Sequence, residues 1–180
     1  SSDLFEQIKK AALDAIKSNQ KTVYIVRGGP GTGKSVVAIN LLAECIHNGY
    51  MAQYITSNAA PRNVYSTMLQ KGFKKTEIKA LFQSSGTFHT RSKNALQIAI
   101  VDEAHRLREK SGMYQNEGED QIKEIINASL FSVFFIDRNQ RVTFKDAGTI
   151  DKILKFSREQ KALIYEGALE SQFRCNVSDG

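Results

Sequence analysis

The sequence predicts an α/β fold: a doubly wound, mostly parallel sheet of about five strands with helices on both faces. Three observations carry that reading. Short β-branched or aromatic runs alternate with helix-period runs along the chain. Most of the strand-like runs are too continuously apolar to have one wet face, which suits parallel strands covered on both sides. A turn holding four glycines and a proline joins the first such run directly to a helix pattern.

The elements follow in order. "FEQIKKAALDAIKS" places Leu4, Ile8, Ala11, Ala12, Ala15 and Ile16 at helical spacing behind Asp3, a candidate cap. Strands are expected at 21–27, 52–56, 96–102, 130–137 and 161–166, and helices between them at 33–49, 60–72, 119–129 and 146–157. The stretch 73–95 predicts a short helix and an extra small strand at "GTFHT" (86–90), and "SGMYQNEGED" (111–120) predicts an exposed loop.

A length of 180 residues suits one domain, residues 1–180. With 41% hydrophobic and 24% charged residues, the balance excludes a disordered or collagen-like chain. No apolar run approaches the roughly 18 residues of a membrane span, and the charged first 20 residues are unlike a secretory signal. A soluble, cytoplasmic protein without a membrane partner is expected. Cys45 and Cys175 lie far apart without metal-ligand spacing and read as free thiols. The net charge of +6 permits an acidic partner, but the 25 basic residues are spread rather than clustered. The chain starts without Met and ends at "NVSDG" with no closing helix pattern, so a piece of a longer protein is expected.

"GGPGTGKS" has Gly28, four residues, then Gly33-Lys34-Ser35, after an expected strand and opening an expected helix. That context is what a phosphate-binding loop requires. Within Gly29-Pro30-Gly31-Thr32-Gly33 the glycines let the backbone wrap so that successive N–H groups point inward at an anion, and the helix N-terminus adds its positive end. Lys34 brings a point charge to β and γ phosphates, and Ser35 a hydroxyl to Mg²⁺. The alternative is a glycine-rich turn with a surface lysine.

"IAIVDEAHR" is an apolar strand ending in Asp102-Glu103. Acids at the carboxyl edge of a parallel sheet lie where ligands bind in this fold class. Asp102 then serves the Mg²⁺ shell, and Glu103 orients and deprotonates a water. Otherwise the two acids cap a helix "EAHRLRE". His105 either couples the nucleotide to the rest of the site or is an ordinary first-turn residue.

"GGPGTGKS", "VDEAH", "FFIDRNQ" and "LESQFRC", in this order, resemble the first RecA-like domain of superfamily 1 helicases, and more closely the bacterial Schlafen group 3 DNA/RNA helicase domain. The resemblance covers nearly the whole chain. It implies a RecA-like P-loop NTPase fold, ATP and Mg²⁺ as ligands, and an ATPase core of a helicase or translocase. Residues 137–140 match that family's Asp-x-x-Gln pattern, which implies a γ-phosphate sensor at Gln140, although Ile136 stands where such helicases often have Gly; otherwise the segment is a turn at a strand end, which Asp and Asn favour. It also implies that Arg174 reaches the γ phosphate from the junction with a second RecA-like domain, expected after residue 180, where the residue alone reads as a solvated arginine. Gln7 would then read adenine, or be a solvent-facing glutamine. Ser57, Asn58 and Arg62 would touch single-stranded DNA or RNA, or be an ordinary helix start. His89 and the lysines of "KGFKKTEIK" have a plain reading as a polar loop and a solvated helix face, and Phe73 and Phe88 as core.

Other classes remain. A regulatory ATPase module of a defence or signalling protein shares every motif. An AAA-type machine suits "GPGTGKS", though no arginine-rich hexamer motif or helical lid is readable. A small-molecule kinase fits poorly with a water-activating acid. The chain by itself is expected to bind ATP but to hydrolyse it slowly.

Overall fold

The computed structural model describes residues 2–29, 32–57, 62–137 and 144–170. Its elements are α1 (Ser2–Ser18), β1 (Thr22–Gly28), α2 (Lys34–His47), β2 (Ala52–Thr56), α3 (Arg62–Gln70), α4 (Lys75–Leu81), β3 (Phe82–Ser84), β4 (Leu96–Val101), α5 (Gln121–Ala128), β5 (Ser129–Asp137), α6 (Phe144–Glu159) and β6 (Leu163–Leu169). The strands form one sheet in the order β3-β2-β4-β5-β1-β6, every pairing parallel.

Strand alternation divides the core between the two faces of the sheet. Tyr24, Val26, Phe131, Val133 and Phe135 pack with α1 to α4, while Val23, Ile25, Phe134 and Ile136 pack with α5 and α6. Each central strand therefore has two dry faces, which is why its sequence is a continuous apolar run. Cys45 is buried in the first of these cores. Among the described residues no helix is long and apolar enough to cross a membrane.

The sheet matches the expected architecture, and one strand is placed differently. The expected extra short strand, which brings the sheet to six, is Phe82–Ser84 and not 86–90. Phe82 meets Tyr54 edge-on, with ring centroids 5.1 Å apart. The Ser84 hydroxyl then accepts from Gly86 N at 3.4 Å and starts a 3-10 turn over Ser85–Thr87, so the strand ends there. Phe88 turns into the core, as Phe73 does on the other face. The helix considered over 103–109 is only a 3-10 turn, Ala104–Arg106.

Beneath the sheet, Lys21 is 6% exposed. Its Nζ donates to Asn94 Oδ1 at 2.6 Å and to the carbonyls of Ile126 (2.5 Å), Asn127 (3.1 Å) and Ser129 (2.6 Å), tying β1 to the α5–β5 corner. Burial, helped by the charge of Lys93, lowers its pKa from 10.5 to about 8. Between those values the unfolded chain binds more protons than the folded one, so Lys21 makes stability rise with pH across that window. Lys21→Met is expected to lose about 2 kcal/mol at neutral pH, because buried oxygens lose their donor. It should also lack the rise between pH 8 and 10.5. Urea unfolding over a pH series measures both, and equal curves for the two proteins would refute the role.

Candidate functional site

At its last residue, Gly28, β1 is in register with Asp137 of β5 and Leu169 of β6. A Cβ at Gly28 would lie 2.7 Å from Thr32 Oγ1 and 3.2 Å from Leu169 Cβ and Lys34 Cγ, so a side chain here would collide with the returning loop. Thr32 closes that loop by donating from N (3.3 Å) and Oγ1 (2.6 Å) to the Gly29 carbonyl. Gly33 takes φ 85° and ψ 24°, a left-handed conformation that favours glycine, and its carbonyl accepts from Val37 N to begin α2. Pro30 and Gly31 lie outside the described residues.

Among the described residues no side chain caps the N-terminus of α2, and no acid lies in its first turn. By contrast, Asp120 caps α5 through the N–H groups of Ile122 and Lys123. The free N–H groups of α2 and its dipole therefore favour an anion at this end. Lys34 Nζ donates to the carbonyls of Gly28 (2.7 Å) and Gly29 (2.8 Å), which holds its charge against the loop.

The end of β4 supplies the acids. β5 lies between β4 and β1, so Asp102 starts about 10 Å from the loop, within side-chain reach across one strand. Asp102 is 4% exposed, and its hydrogen-bond partners Ser35, Tyr54 and Glu103 are all donors. Oδ2 accepts from Ser35 Oγ at 3.3 Å and from the Tyr54 hydroxyl, and Oδ1 from Glu103 N at 2.9 Å. Burial, together with the adjacent Asp102 carboxylate, pushes the Tyr54 phenol well above its usual range, so it remains a donor.

Glu103 adopts φ 48° and ψ 50°, a left-handed conformation rare for a residue with a side chain. This turns it away from the strand direction. Its half-exposed carboxylate lies 3.5 Å from Arg106 Nε and lines the same cleft as the loop. His105 Nδ1 accepts from Asp137 N at 3.5 Å, which links the ends of β4 and β5.

Thr32, Gly33, Lys34, Ser35, Asp102, Glu103, His105 and Asp137 thus surround one cleft of about 260 Å³. A larger groove, about 660 Å³, borders it at Val36 and runs along α2 to His47, but its described lining has neither a glycine loop nor a hydroxyl–carboxylate pair. Gln7 is exposed on α1 and is not among the residues lining the cleft. Ser57 follows β2 at the carboxyl edge, half-buried, and Arg62 begins α3. Asn58, Gln140, Arg174 and Cys175 lie outside the described residues. Tyr54 was not anticipated. Its only signal was a tyrosine in a strand dry on both sides, where a phenol needs a buried acceptor.

The family model of the Schlafen group 3 DNA/RNA helicase domain matches residues 21–180. The chain belongs to that family. For this Schlafen group 3 helicase domain, a comparison with curated proteins found no match. Among solved structures it is similar to the flagellar accessory protein FlaH of Methanocaldococcus jannaschii, at 12% identity and TM-score 0.49, covering 76% of this chain and 68% of that one. It is similar to the Hef helicase domain of Pyrococcus furiosus, at 11% identity and TM-score 0.46, covering 88% and 37%. It is also similar to the SWI2/SNF2 ATPase core of Sulfolobus solfataricus in complex with dsDNA, at 9% identity and TM-score 0.49, covering 91% and 43%. The chain spans less than half the length of the last two.

Proposed function

We propose that this domain binds ATP with Mg²⁺ on the β1–α2 loop and hydrolyses it, as the motor core of a DNA/RNA helicase or translocase. The observation that carries the reading is the meeting of Ser35 Oγ and Asp102 Oδ2, 3.3 Å apart, at the mouth of a glycine loop that holds Lys34. A hydroxyl and a carboxylate are hard oxygen donors. They fit Mg²⁺, which is usually held by one or two protein oxygens together with substrate phosphates. When bound, Mg²⁺ supplies neutralisation of charge on the β and γ oxygens.

The chain's own residues do the rest. The N–H groups at the start of α2 and the ammonium of Lys34 bind the phosphates and stabilise charge as it builds on the leaving group. Tyr54 and the Glu103 amide fix both oxygens of Asp102, so that its carboxylate keeps facing Ser35. Glu103 accepts the proton of the attacking water. His105 joins this corner to the end of β5, from which the chain runs on to Gln140 as γ-phosphate sensor. Arg174 and a second RecA-like domain complete the site in the longer protein, and single-stranded DNA or RNA is the track.

The test is ATP turnover by the protein carrying its second domain, with and without single-stranded DNA or RNA. Stimulation of about tenfold or more is expected. The 180-residue chain alone should turn over far below the roughly 10 s⁻¹ median of enzymes. Turnover indifferent to nucleic acid would instead favour a regulatory ATPase module.

A further inference from the structure

The net charge of +6 arises in one stretch of the chain. Basic residues are spread along the sequence, but acids are not: residues 45–101 contain seven Lys or Arg against one acid, Glu77, while the remainder holds equal numbers of each. Most of that stretch lies in β2, α3, α4, β3 and β4, on one side of the sheet, with β3 as the outer strand. The principal neighbours of α4 are α3, β2 and β3, and none of the three has an acid. Glu77 is tied back to its own helix, its Oε1 accepting from Lys74 N at 3.1 Å. Lys74, Lys75 and Lys79 are exposed and enter no ion pair among the described residues. The surface here is positive without local compensation, which favours an anionic ligand.

Lys75 and Lys79, one helical turn apart, line a cleft of about 390 Å³ together with Tyr65, Thr76, Ile78 and Phe82. Among the described residues no acid lines it, and it shares no lining residue with the cleft around Lys34. Ile78 is fully buried, whereas Tyr65 and Phe82 are half-buried, packed on the core while bordering the cleft. Phe82 is also held by Tyr54, edge-on at 5.1 Å between centroids, so its ring is positioned before any ligand arrives. β3 lies two inter-strand spacings, about 10 Å, from β4 and its acids.

We propose that this cleft is a contact for single-stranded nucleic acid: an unpaired base lies against Tyr65 and Phe82, and Lys75 and Lys79 meet neighbouring phosphates. Fixed aromatic rings beside uncompensated lysines suit a ligand that carries flat faces and regular negative charge together. An acidic peptide offers the charge without the flat faces. The inference rests on the helicase reading above and gives its track a named point on this domain.

A dT or U oligomer carrying one 5-iodouracil, irradiated on the wild-type chain, is expected to crosslink at Tyr65 or Phe82, read by peptide mass spectrometry. By anisotropy with labelled oligomers, Lys75→Ala/Lys79→Ala should lower the salt slope of binding by about 1 to 2. Tyr65→Leu, which keeps an apolar side chain on the core, should weaken binding about 5- to 100-fold, with Tyr65→Phe near wild type. The crosslink uses wild type and the two lysines are exposed, so both readouts stand even if Tyr65→Leu fails to fold. Crosslinks confined to other segments, with wild-type affinity and salt slope in the lysine variant, overturn this contact and leave the helicase reading standing. If wild type binds neither oligomer at low salt, the contact falls and the nucleic-acid part of that reading falls with it. Displacement of the oligomer by oligoglutamate of equal charge would assign the cleft to an acidic protein segment and overturn the proposal.

Discussion

Glu103→Gln is expected to slow ATP hydrolysis by about 10²- to 10⁴-fold while leaving ATP affinity within a factor of about three. The substitution keeps shape and removes only basicity. The Glu103 amide continues to donate to Asp102, so the hydroxyl–carboxylate pair with Ser35 is preserved. The lost carboxylate contact is the one with Arg106, an exposed pair at 3.5 Å that contributes little to folding. Phosphate release measures the first effect and a fluorescent ATP analogue the second. Turnover at the wild-type rate would move the base elsewhere.

Lys34→Ala is expected to weaken ATP binding about 10- to 100-fold, the size of one lost charge-assisted hydrogen bond to phosphate. In the structure its ammonium satisfies the Gly28 and Gly29 carbonyls, so the variant also loosens the loop. That contribution to stability is modest, about 1 kcal/mol, because both hydrogen bonds are only partly buried. A thermal melt near wild type with lost affinity separates binding from folding. Unchanged affinity would mean that the glycine loop is not the phosphate site.

The fold was legible because its constraint is local. β5 needs apolar side chains on both faces, Phe131, Val133 and Phe135 on one and Phe134 and Ile136 on the other, and that demand is written directly into consecutive residues. The loop was legible because Gly28 and Gly33 meet positional needs, a close approach and a left-handed turn, that other residues meet poorly. β3 was misplaced because three residues hold no period. The strand depends on Phe82 finding Tyr54, a contact that exists only once the sheet has formed. Tyr54 itself was missed for the same reason, since its partner Asp102 is 48 residues away. Lys21 opened an expected strand without any sign of its burial, which depends on carbonyls from Ile126 to Ser129 arriving beneath it. On α1, Leu4 and Ile8 fix the buried side, and Gln7 falls on the exposed one, where helical spacing alone permitted either use.

The most direct test of the central claim is amide hydrogen exchange of this chain with and without Mg²⁺ and ATP, in wild type and in Lys34→Ala. A triphosphate seated on the β1–α2 loop predicts slowed exchange in the peptides spanning residues 28–36 and 101–106, and loss of that protection in the variant. Protection confined to other segments, or none at saturating nucleotide, would contradict it.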